Sequence, residues 1–248
     1  MANQSIKTWN DEAGIADPPR RSAQRRDLRS FSRSLARRFS IGVNRVEAMM
    51  FDLMHGTDTR GKAPVSELAN VVGNNIDNGT GYQAVNAFHF RRVMKALPFP
   101  QGSVFVDIGC GKGKPLLLAA EQPFVARALG VEFAGDLCVA AARNALRYGD
   151  SRGIASKIEV LHRDALDYEI DRDENIFFLN NPFDAHVLSV FADKIEASIR
   201  AFPRKVWLLY GNPTSSAVLD AHPTFMRVAD FHFYGPGRDV AVYCAGRA

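Results

Sequence analysis

The run Val104-Phe105-Val106-Asp107-Ile108-Gly109-Cys110-Gly111-Lys112-Gly113 has the pattern of a buried strand followed by a glycine loop. A short apolar run ends at an acid, and a helical pattern begins directly after the third glycine. Glycines let a backbone turn sharply and approach a ligand closely, while the start of the next helix offers free N–H groups. The run therefore predicts a strand, a ligand-binding loop and a helix in succession.

Beyond Pro98 the same alternation of short apolar runs and helical stretches continues, which is typical of a parallel sheet built from βαβ units. A different pattern closes the chain, where two strands flank a tight turn, as in an antiparallel hairpin. We predict an α/β three-layer sandwich with a mostly parallel seven-stranded sheet that ends in that hairpin. The predicted strands are 104–108, 126–131, 158–162, 176–180 and 206–211, with hairpin strands at 225–234 and 239–244 around Gly235-Pro236-Gly237-Arg238. The predicted helices are 84–97, 114–121, 135–148 and 185–202.

The N-terminal third differs in composition from the rest. Residues 1–24 show little periodicity and are predicted to be a poorly ordered tail. Residues 25–81 are predicted to form a basic helical extension and lid, because apolar residues recur every three or four positions from Arg25 to Met54. Residues 82–248 are predicted to form the ligand-binding domain.

The glycine spacing discriminates between cofactors. A dinucleotide loop of the type Gly-x-Gly-x-x-Gly would need glycine at position 114, where this chain has Lys114. Asp-x-Gly-x-Gly-x-Gly instead resembles motif I of the class I, seven-strand, Rossmann-like methyltransferases that use S-adenosylmethionine. The resemblance implies that the loop, with Asp107, Gly109, Cys110, Gly111 and Gly113, binds the methionyl part of that cofactor.

Two further acids stand where that family places cofactor contacts. Glu132 closes the second predicted strand, and a carboxylate there can accept hydrogen bonds from both ribose hydroxyls. Asp164 and Ala165 follow the third strand, where the resemblance implies a contact with the adenine amino group. Either acid alone could equally be a helix cap or a surface residue, but three landmarks in order favour the methyltransferase interpretation.

The end of the fourth strand bears on the reaction. Asn180-Asn181-Pro182-Phe183 resembles the Asn-Pro-Pro-Tyr motif IV of enzymes that methylate nitrogen. It also resembles the Asn-Asn-Phe-Ala-Phe run of histone lysine methyltransferases of the disruptor-of-telomeric-silencing type. The resemblance implies that Asn180, with the backbone of Asn181 and Pro182, orients the acceptor nitrogen, that Asn180 also borders the cofactor, and that Phe183 walls the acceptor pocket. A strand-ending Asn-Pro turn with a core phenylalanine is the alternative.

The whole chain also resembles bacterial methyltransferases of undefined substrate, which share the Gly56-Thr57-Asp58-Thr59 loop and the Gly81-Tyr82-Gln83 run. The resemblance implies that Tyr82 contacts cofactor or substrate as part of a lid, although a packing role is an equal alternative. The 180–183 run lacks the second proline of the nucleic-acid enzymes and the extra residue of the histone motif. The acceptor therefore stays open between these classes.

Charge distribution adds a second acceptor hypothesis. Between residues 18 and 46 one acid, Asp27, accompanies nine arginines: Arg20, Arg21, Arg25, Arg26, Arg29, Arg33, Arg37, Arg38 and Arg45. Such a segment could contact nucleic acid or could be a solvated tail. We therefore expect an N-methyltransferase with S-adenosylmethionine as cofactor and a protein amine as acceptor. A nucleic-acid base is the alternative acceptor, and a catalytically silent cofactor-binding regulator is the third hypothesis.

Other classes of protein find less support in the sequence. The six histidines show no metal-ligand spacing, and no Gly-x-Ser-x-Gly run indicates a hydrolase. No metal is expected. The three cysteines are scattered and no apolar stretch is long enough for a membrane span, so a cytoplasmic protein with reduced thiols is expected. The oligomeric state has no signature in the sequence.

Overall fold

The computed structural model describes residues 41–73, 76–79, 81–233 and 237–247. These residues belong to one compact unit that begins at Ser40. The predicted tail over residues 1–24, the predicted helical extension before residue 41 and the Gly235-Pro236 part of the hairpin turn lie outside the described residues.

Seven strands form one sheet with the spatial order 5-4-3-6-7-9-8 in chain numbering. In chain order the strands are β1 (Lys62–Ala63), β2 (Tyr82–Gln83), β3 (Ser103–Ile108), β4 (Val125–Glu132), β5 (Ile158–His162), β6 (Glu174–Leu179), β7 (Val206–Gly211), β8 (Met226–Phe231) and β9 (Val240–Ala245). The first five strands in space are parallel, whereas β9 pairs antiparallel with both β7 and β8. The short strands β1 and β2 form a separate antiparallel ladder.

Helices cover both faces of the sheet. They are α1 (41–55), α2 (Ala87–Ala96), α3 (Lys114–Ala120), α4 (Gly135–Asp150), α5 (Ala185–Ala201) and α6 (Ser216–Ala221). One apolar core lies between the sheet and α2, α3 and α4, and a second lies between the opposite face and α5 and α6. Every residue of α3 is buried, because the neighbouring helices cover it on its outer side. The predicted three-layer α/β fold is therefore confirmed.

Element ends differ from the predictions in ways that local chemistry explains. The helix predicted from Ala84 begins at Ala87, because Asn86 caps it by accepting a hydrogen bond of 3.0 Å from the N–H of His89. The strand predicted to end at Asn180 ends at Leu179, just before Asn181 adopts a left-handed φ of 50°. The helix α6 was not predicted; it is only six residues long.

None of the helices in the described part of the chain combines the length and the apolar character that crossing a bilayer requires.

Candidate active site

The glycine loop after β3 is built from three left-handed residues. Gly109, Gly111 and Gly113 have φ values of 73°, 56° and 82°, a region that residues with a Cβ rarely adopt. Space is restricted as well. A Cβ on Gly109 would lie 2.6 Å from the Cβ of Pro182, and one on Gly111 would lie 2.3 Å from the ring of Tyr82. The loop therefore requires glycine both for its conformation and for the contacts that surround it.

A cavity opens where this loop meets the carboxyl ends of the parallel strands. Its floor is formed by Asp107, the glycine loop and Glu132, and its opposite side by Leu68 and the 81–85 stretch. Crevices at this edge are the usual ligand sites of open α/β sheets. The cavity brings eight of the predicted site residues together: Tyr82, Asp107, Gly109, Cys110, Gly111, Glu132, Asn180 and Pro182.

Two buried acids line the cavity, and they differ in the hydrogen bonds that their carboxyl groups accept. Glu132 accepts hydrogen bonds from the N–H groups of Gly111 at 2.7 Å and Ala134 at 3.0 Å. Asp107 is 1% exposed, and its Oδ2 has no hydrogen-bond partner within the described residues. Burial and the neighbouring Glu132 raise the pKa of Asp107 well above its usual range. A buried, unpaired carboxylate oxygen is costly, and its presence here indicates a partner that the protein itself does not supply.

Cys110 and Gly113 have supporting positions in the loop. The N–H of Cys110 donates to the carbonyl of Val131 at 3.1 Å, and its thiol is buried. Burial together with the nearby acids raises the pKa of Cys110 well above its usual value, so the thiol stays neutral. Gly113 does not line the cavity. A Cβ added to Gly113 would lie 3.2 Å from the Cβ of Ala141 in α4. Gly113 allows α4 to approach the start of α3.

The loop after α1 packs beside the glycine loop and is ordered by a buried carboxylate. Asp52, which is buried, accepts hydrogen bonds from the hydroxyls of Thr57 and Thr59 and the N–H of Thr59, each at 2.8 Å, and from the N–H of Arg60 at 3.1 Å. The Gly-Thr-Asp-Thr run is thus ordered around one carboxylate. Only the composition of this loop was visible in the sequence. Asp52 was missed because its partners become neighbours only in the folded loop.

Asn144 of α4 joins these two loops. Its Oδ1 accepts from the N–H of Asp58 at 2.8 Å, and its Nδ2 donates to the carbonyls of Asp58 and Lys112, both at 2.9 Å. Lys112 in turn contacts the Asp58 carboxylate at 3.0 Å. The Tyr82 hydroxyl donates to the carbonyl of Thr59, so the predicted lid residue is held by the same loop.

The segment between Leu68 and Gly79 crosses the ligand edge of the sheet. The N–H of Val72 donates to the carbonyl of Phe133 at 3.0 Å, beside the end of β4. Farther along, the N–H of Asp184 donates to the carbonyl of Asn78 at 2.9 Å, beside the end of β6. Together with β1 and β2 this segment forms a cover, which we call the roof and define as residues 57–73, 76–79 and 81–85.

Asp164 and Ala165 lie beneath the roof and away from the cavity. Asp164 is buried, its Oδ1 accepts from the N–H of Leu166 at 2.8 Å, and an added Cβ on Gly73 would lie 2.2 Å from its Oδ2. Ala165 packs against the second core. In this closed arrangement Asp164 is covered by the roof near Gly73, and neither residue lines the cavity.

Lys114 lines the cavity, although the sequence predicted no role for it beyond the absence of a glycine at position 114. Its side chain is 1% exposed, its Nζ pairs with the carboxylate of Glu47 at 3.1 Å, and it lies 4.4 Å from the ring centroid of Phe51. Burial lowers the pKa of Lys114, although the pairing with Glu47 opposes this. The ion pair fastens α1 to the start of α3.

The 180–183 run divides between the cavity and the core. Asn180 borders the cavity and donates from Nδ2 to the carbonyl of Gln83 at 3.3 Å. Asn181 turns away, because its Oδ1 accepts from the hydroxyls of Tyr210 at 2.9 Å and Thr214 at 2.7 Å. Phe183 packs in the second core, where its ring centroid lies 6.3 Å from that of Phe191. Phe183 therefore does not line the cavity in this structure, and its role as a wall of the acceptor pocket stays a prediction.

One group of potential metal ligands forms although the histidines show no cluster in the sequence. Ligand atoms of Asp193, Glu196 and His222 all lie within 4.8 Å of one another. The N–H of Thr224 lies 3.3 Å from the Nδ1 of His222, and the Nε2 of His222 lies 3.2 Å from the carboxylate of Asp193. Glu196 is paired with Arg200. In this arrangement the group is a hydrogen-bonded surface cluster.

Comparison with known proteins supports the fold. No family model and no curated protein sequence matches the chain. The human methyltransferase 10 domain containing protein is 13% identical, over 83% of this chain and 95% of that one, with a TM-score of 0.50. A candidate tRNA (m1A22) methyltransferase from Streptococcus pneumoniae is 16% identical, over 64% and 70%, with a TM-score of 0.46. A SAM-dependent methyltransferase from Aquifex aeolicus is 12% identical, over 63% and 88%, with a TM-score of 0.47.

Proposed function

We propose that this protein is an S-adenosylmethionine-dependent methyltransferase that acts on a nitrogen acceptor. The observation that carries the proposal is the unpartnered, buried Oδ2 of Asp107 in a cavity whose floor is a left-handed glycine loop. A ligand with a cationic group and an extended, hydroxyl-bearing body fits that combination. The shared fold of the human protein and the motif I resemblance support the same conclusion.

The residues present fit this cofactor. Asp107 offers its free carboxylate oxygen to the ammonium group, and Gly109 and Gly111, which line the cavity without side chains, offer their backbone to the methionyl chain. Each oxygen of Glu132 accepts one backbone N–H, and a carboxylate oxygen has a second lone pair that can accept a ribose hydroxyl. Asp164 and Ala165 remain our candidates for the adenine contact once the roof near Gly73 moves aside. When bound, the cofactor supplies an electrophilic methyl group on a sulfonium.

Asn180 and Pro182 are the residues that we assign to the acceptor. They border the cavity on the side away from Glu132, where an acceptor nitrogen can approach. An amide oxygen and a backbone carbonyl can hold the N–H bonds of an amine aside so that its lone pair points at the methyl group. Catalysis then depends mainly on positioning. We propose a protein amine of the lysine type as the acceptor, on the resemblance of residues 180–183 to the histone enzymes.

Replacing Asn180 separates the roles of cofactor binding and acceptor positioning. We expect Asn180→Ala to lower kcat about 100-fold, because orientation of the nucleophile contributes strongly to such transfers, while the cofactor Kd changes less than about threefold. The measurement combines calorimetry with S-adenosylmethionine and label transfer from tritiated cofactor into fractionated cell extract. His186→Ala is the control, since His186 is exposed and lies outside the cavity. An equal loss of cofactor affinity in Asn180→Ala would contradict the assignment.

A nucleic-acid base is the second candidate acceptor, because nine arginines face one acid between residues 18 and 46. Phosphate contacts from these arginines would make RNA or DNA binding weaken steeply with salt. Filter binding of tRNA and duplex DNA to the full chain, compared with a chain carrying glutamine at the nine positions, tests this candidate. Binding that is insensitive to salt and to these substitutions would exclude it.

A further inference from the structure

Asn180 lies between two differently charged parts of the ligand edge. On one side lies Gly211, where an added Cβ would be 2.8 Å from the Oδ1 of Asn180. The next residue, Asn212, donates its N–H to the carbonyl of Asp239 at 2.8 Å. Because β8 runs parallel to β7, the connection that follows β8 and contains Arg238 lies at this same edge. The start of α2 is also near Asn180. Asn180 donates a hydrogen bond to the carbonyl of Gln83, and the N-cap of α2, Asn86, follows three residues later.

Two arginines on that side make no close ion pair within the described part of the chain, although the carboxylate of Glu47 acts on Arg238 at longer range. Neither the guanidinium of Arg92 nor that of Arg238 has a carboxylate oxygen within 4.0 Å among the residues that the structure describes. The Nε of Arg238 is buried and makes no hydrogen bond there. Arg92 lies 5.9 Å from the ring centroid of Phe233, on which His89 stacks at 4.1 Å. Burial and the two arginines lower the pKa of His89 to about 4, so the imidazole adds no charge at neutral pH.

The other side of Asn180 is acidic. Asp184 is exposed four residues further along the chain, at the start of α5. Asp77 is exposed in the roof, next to Asn78, whose carbonyl accepts the N–H of Asp184 at 2.9 Å. The neighbouring acid on the arginine side, Asp239, is occupied by the N–H of Phe233 and by His232. Two exposed carboxylates, Asp77 and Asp184, the second of which also caps α5 through the N–H of Val187, therefore lie on the side of Asn180 away from the two arginines.

We infer that the acceptor is a protein segment with carboxylates on one side of its methylated lysine, which Arg92 and Arg238 bind while Asp77 and Asp184 face the cationic side. This inference rests on the proposed function and names its substrate class. Guanidinium groups pair well with carboxylates and repel an uncompensated cationic segment. Their positive charge also favours the neutral, nucleophilic form of the lysine amine.

The same charges disfavour a nucleic acid in this position. A strand laid along the edge would place phosphates against Asp77 and Asp184, and like charges so juxtaposed oppose binding. Nucleic-acid surfaces carry positive charge along the whole path of the backbone, whereas the exposed carboxylates Asp77 and Asp184 interrupt it at this edge.

The test uses an array of peptides with one lysine, flanked on either side by acidic, neutral or basic residues, and tritiated S-adenosylmethionine with the full chain. We expect acidic-flanked peptides to be labelled at least about fivefold faster than neutral ones, the ratio that one exposed ion pair can give. R92Q/R238Q should remove that preference, and R92E/R238E should shift it to basic flanks. R143Q is the matched control, because Arg143 is exposed on α4 and lies outside this edge. Cofactor heat in calorimetry should be the same in all four chains.

Each outcome bears on the inference. Labelling without acidic preference, or a preference that survives R92Q/R238Q, overturns the inference and leaves the proposed methyltransferase standing. Cofactor heat with no labelled peptide, accompanied by labelled RNA or DNA in a parallel incubation, overturns the protein acceptor and the inference together. Absence of cofactor heat overturns the proposed function itself.

Discussion

The buried carboxyl of Asp107 lowers the stability of the ligand-free protein and at the same time provides a binding group for the cofactor. An isolated Asp has a pKa of about 3.9, and burial raises the pKa of Asp107 in the folded state. The folded state therefore holds a proton that the unfolded state releases as the pH rises above about 4, so stability falls with rising pH up to the folded-state pKa. We expect Asp107→Asn to raise the Tm of the ligand-free protein at pH 7 and to weaken cofactor binding at least about tenfold.

Differential scanning calorimetry at pH 5 and pH 7 measures this, with Asp150→Asn as the control because Asp150 is exposed at the end of α4. The gain in Tm should be larger at pH 7 than at pH 5. A Tm that falls in Asp107→Asn at both pH values would show that the carboxylate stabilises the fold instead.

Gly111 and Gly102 form a matched pair for the glycine loop. Both have a left-handed φ, of 56° and 79°, but an added Cβ meets nothing within 4 Å at Gly102 and the Tyr82 ring at Gly111. Both alanine variants should lose about 1–2 kcal/mol of stability from backbone strain, and Gly111→Ala alone should lose cofactor binding. Calorimetric titration with S-adenosylmethionine and urea unfolding separate the two effects. Equal cofactor affinity in both variants would show that the contact between position 111 and the Tyr82 ring is not needed for cofactor binding.

At this scale the sequence predicted residues whose role is local. The glycine loop and the acids that end strands follow from spacing, because position on a strand decides where they lie. Lys114 and Asn144 were not predicted, since their partners lie far away in the chain: Lys114 pairs with Glu47, and Asn144 binds Asp58. Asp52 was not predicted because its partners, Thr57, Thr59 and Arg60, surround it only in the folded loop. Phe183, expected at the acceptor pocket, packs in the second core two residues after the left-handed Asn181, a turn that spacing alone does not predict.

At the scale of elements, the loop after α1 depends on a single carboxylate. Asp52 accepts four hydrogen bonds and is buried. We expect Asp52→Ala to lower the free energy of unfolding by about 2–4 kcal/mol, because buried donors lose their acceptor, and to weaken cofactor binding through Tyr82. Urea unfolding measures the first effect and calorimetry the second. Asp150→Ala should change neither; a loss below about 0.5 kcal/mol in Asp52→Ala would place the order of the loop elsewhere.

Regular elements were predictable where the pattern is long or continuous. The strands β5 and β7 have the predicted bounds, and the hairpin strands β8 and β9 are shorter than or shifted from the predicted ranges. The ladder of β1 and β2 has two residues per strand, too few for any periodicity to show. Its partners are about 20 residues apart in sequence, and the fold that joins them is set by contacts with α4 and the glycine loop.

At the scale of the whole molecule, the roof joins parts of the fold that the sheet alone would leave separate. It is fastened to α1 through Asp52, to α4 through Asn144, to the end of β4 through Val72 and to the start of α5 through Asn78. The cavity lies beneath it, between Tyr82 and the glycine loop. We therefore expect cofactor entry and release to open some of these contacts, so that binding is coupled to local unfolding of the roof.

That coupling has a quantitative consequence for hydrogen exchange. If amides such as those of Val72 and Ala84 exchange only through an opening that releases the ligand, cofactor at 100 times its Kd should slow them about 100-fold. Amides of β8, at the far edge of the sheet, should exchange at the same rate with and without cofactor unless they exchange by global unfolding. Exchange followed by mass spectrometry, with S-adenosylhomocysteine as a non-reacting ligand, measures both. Roof amides that are unaffected by a saturating ligand would mean that the cofactor enters by a route that leaves the roof in place, and Tyr82 would then be a packing residue.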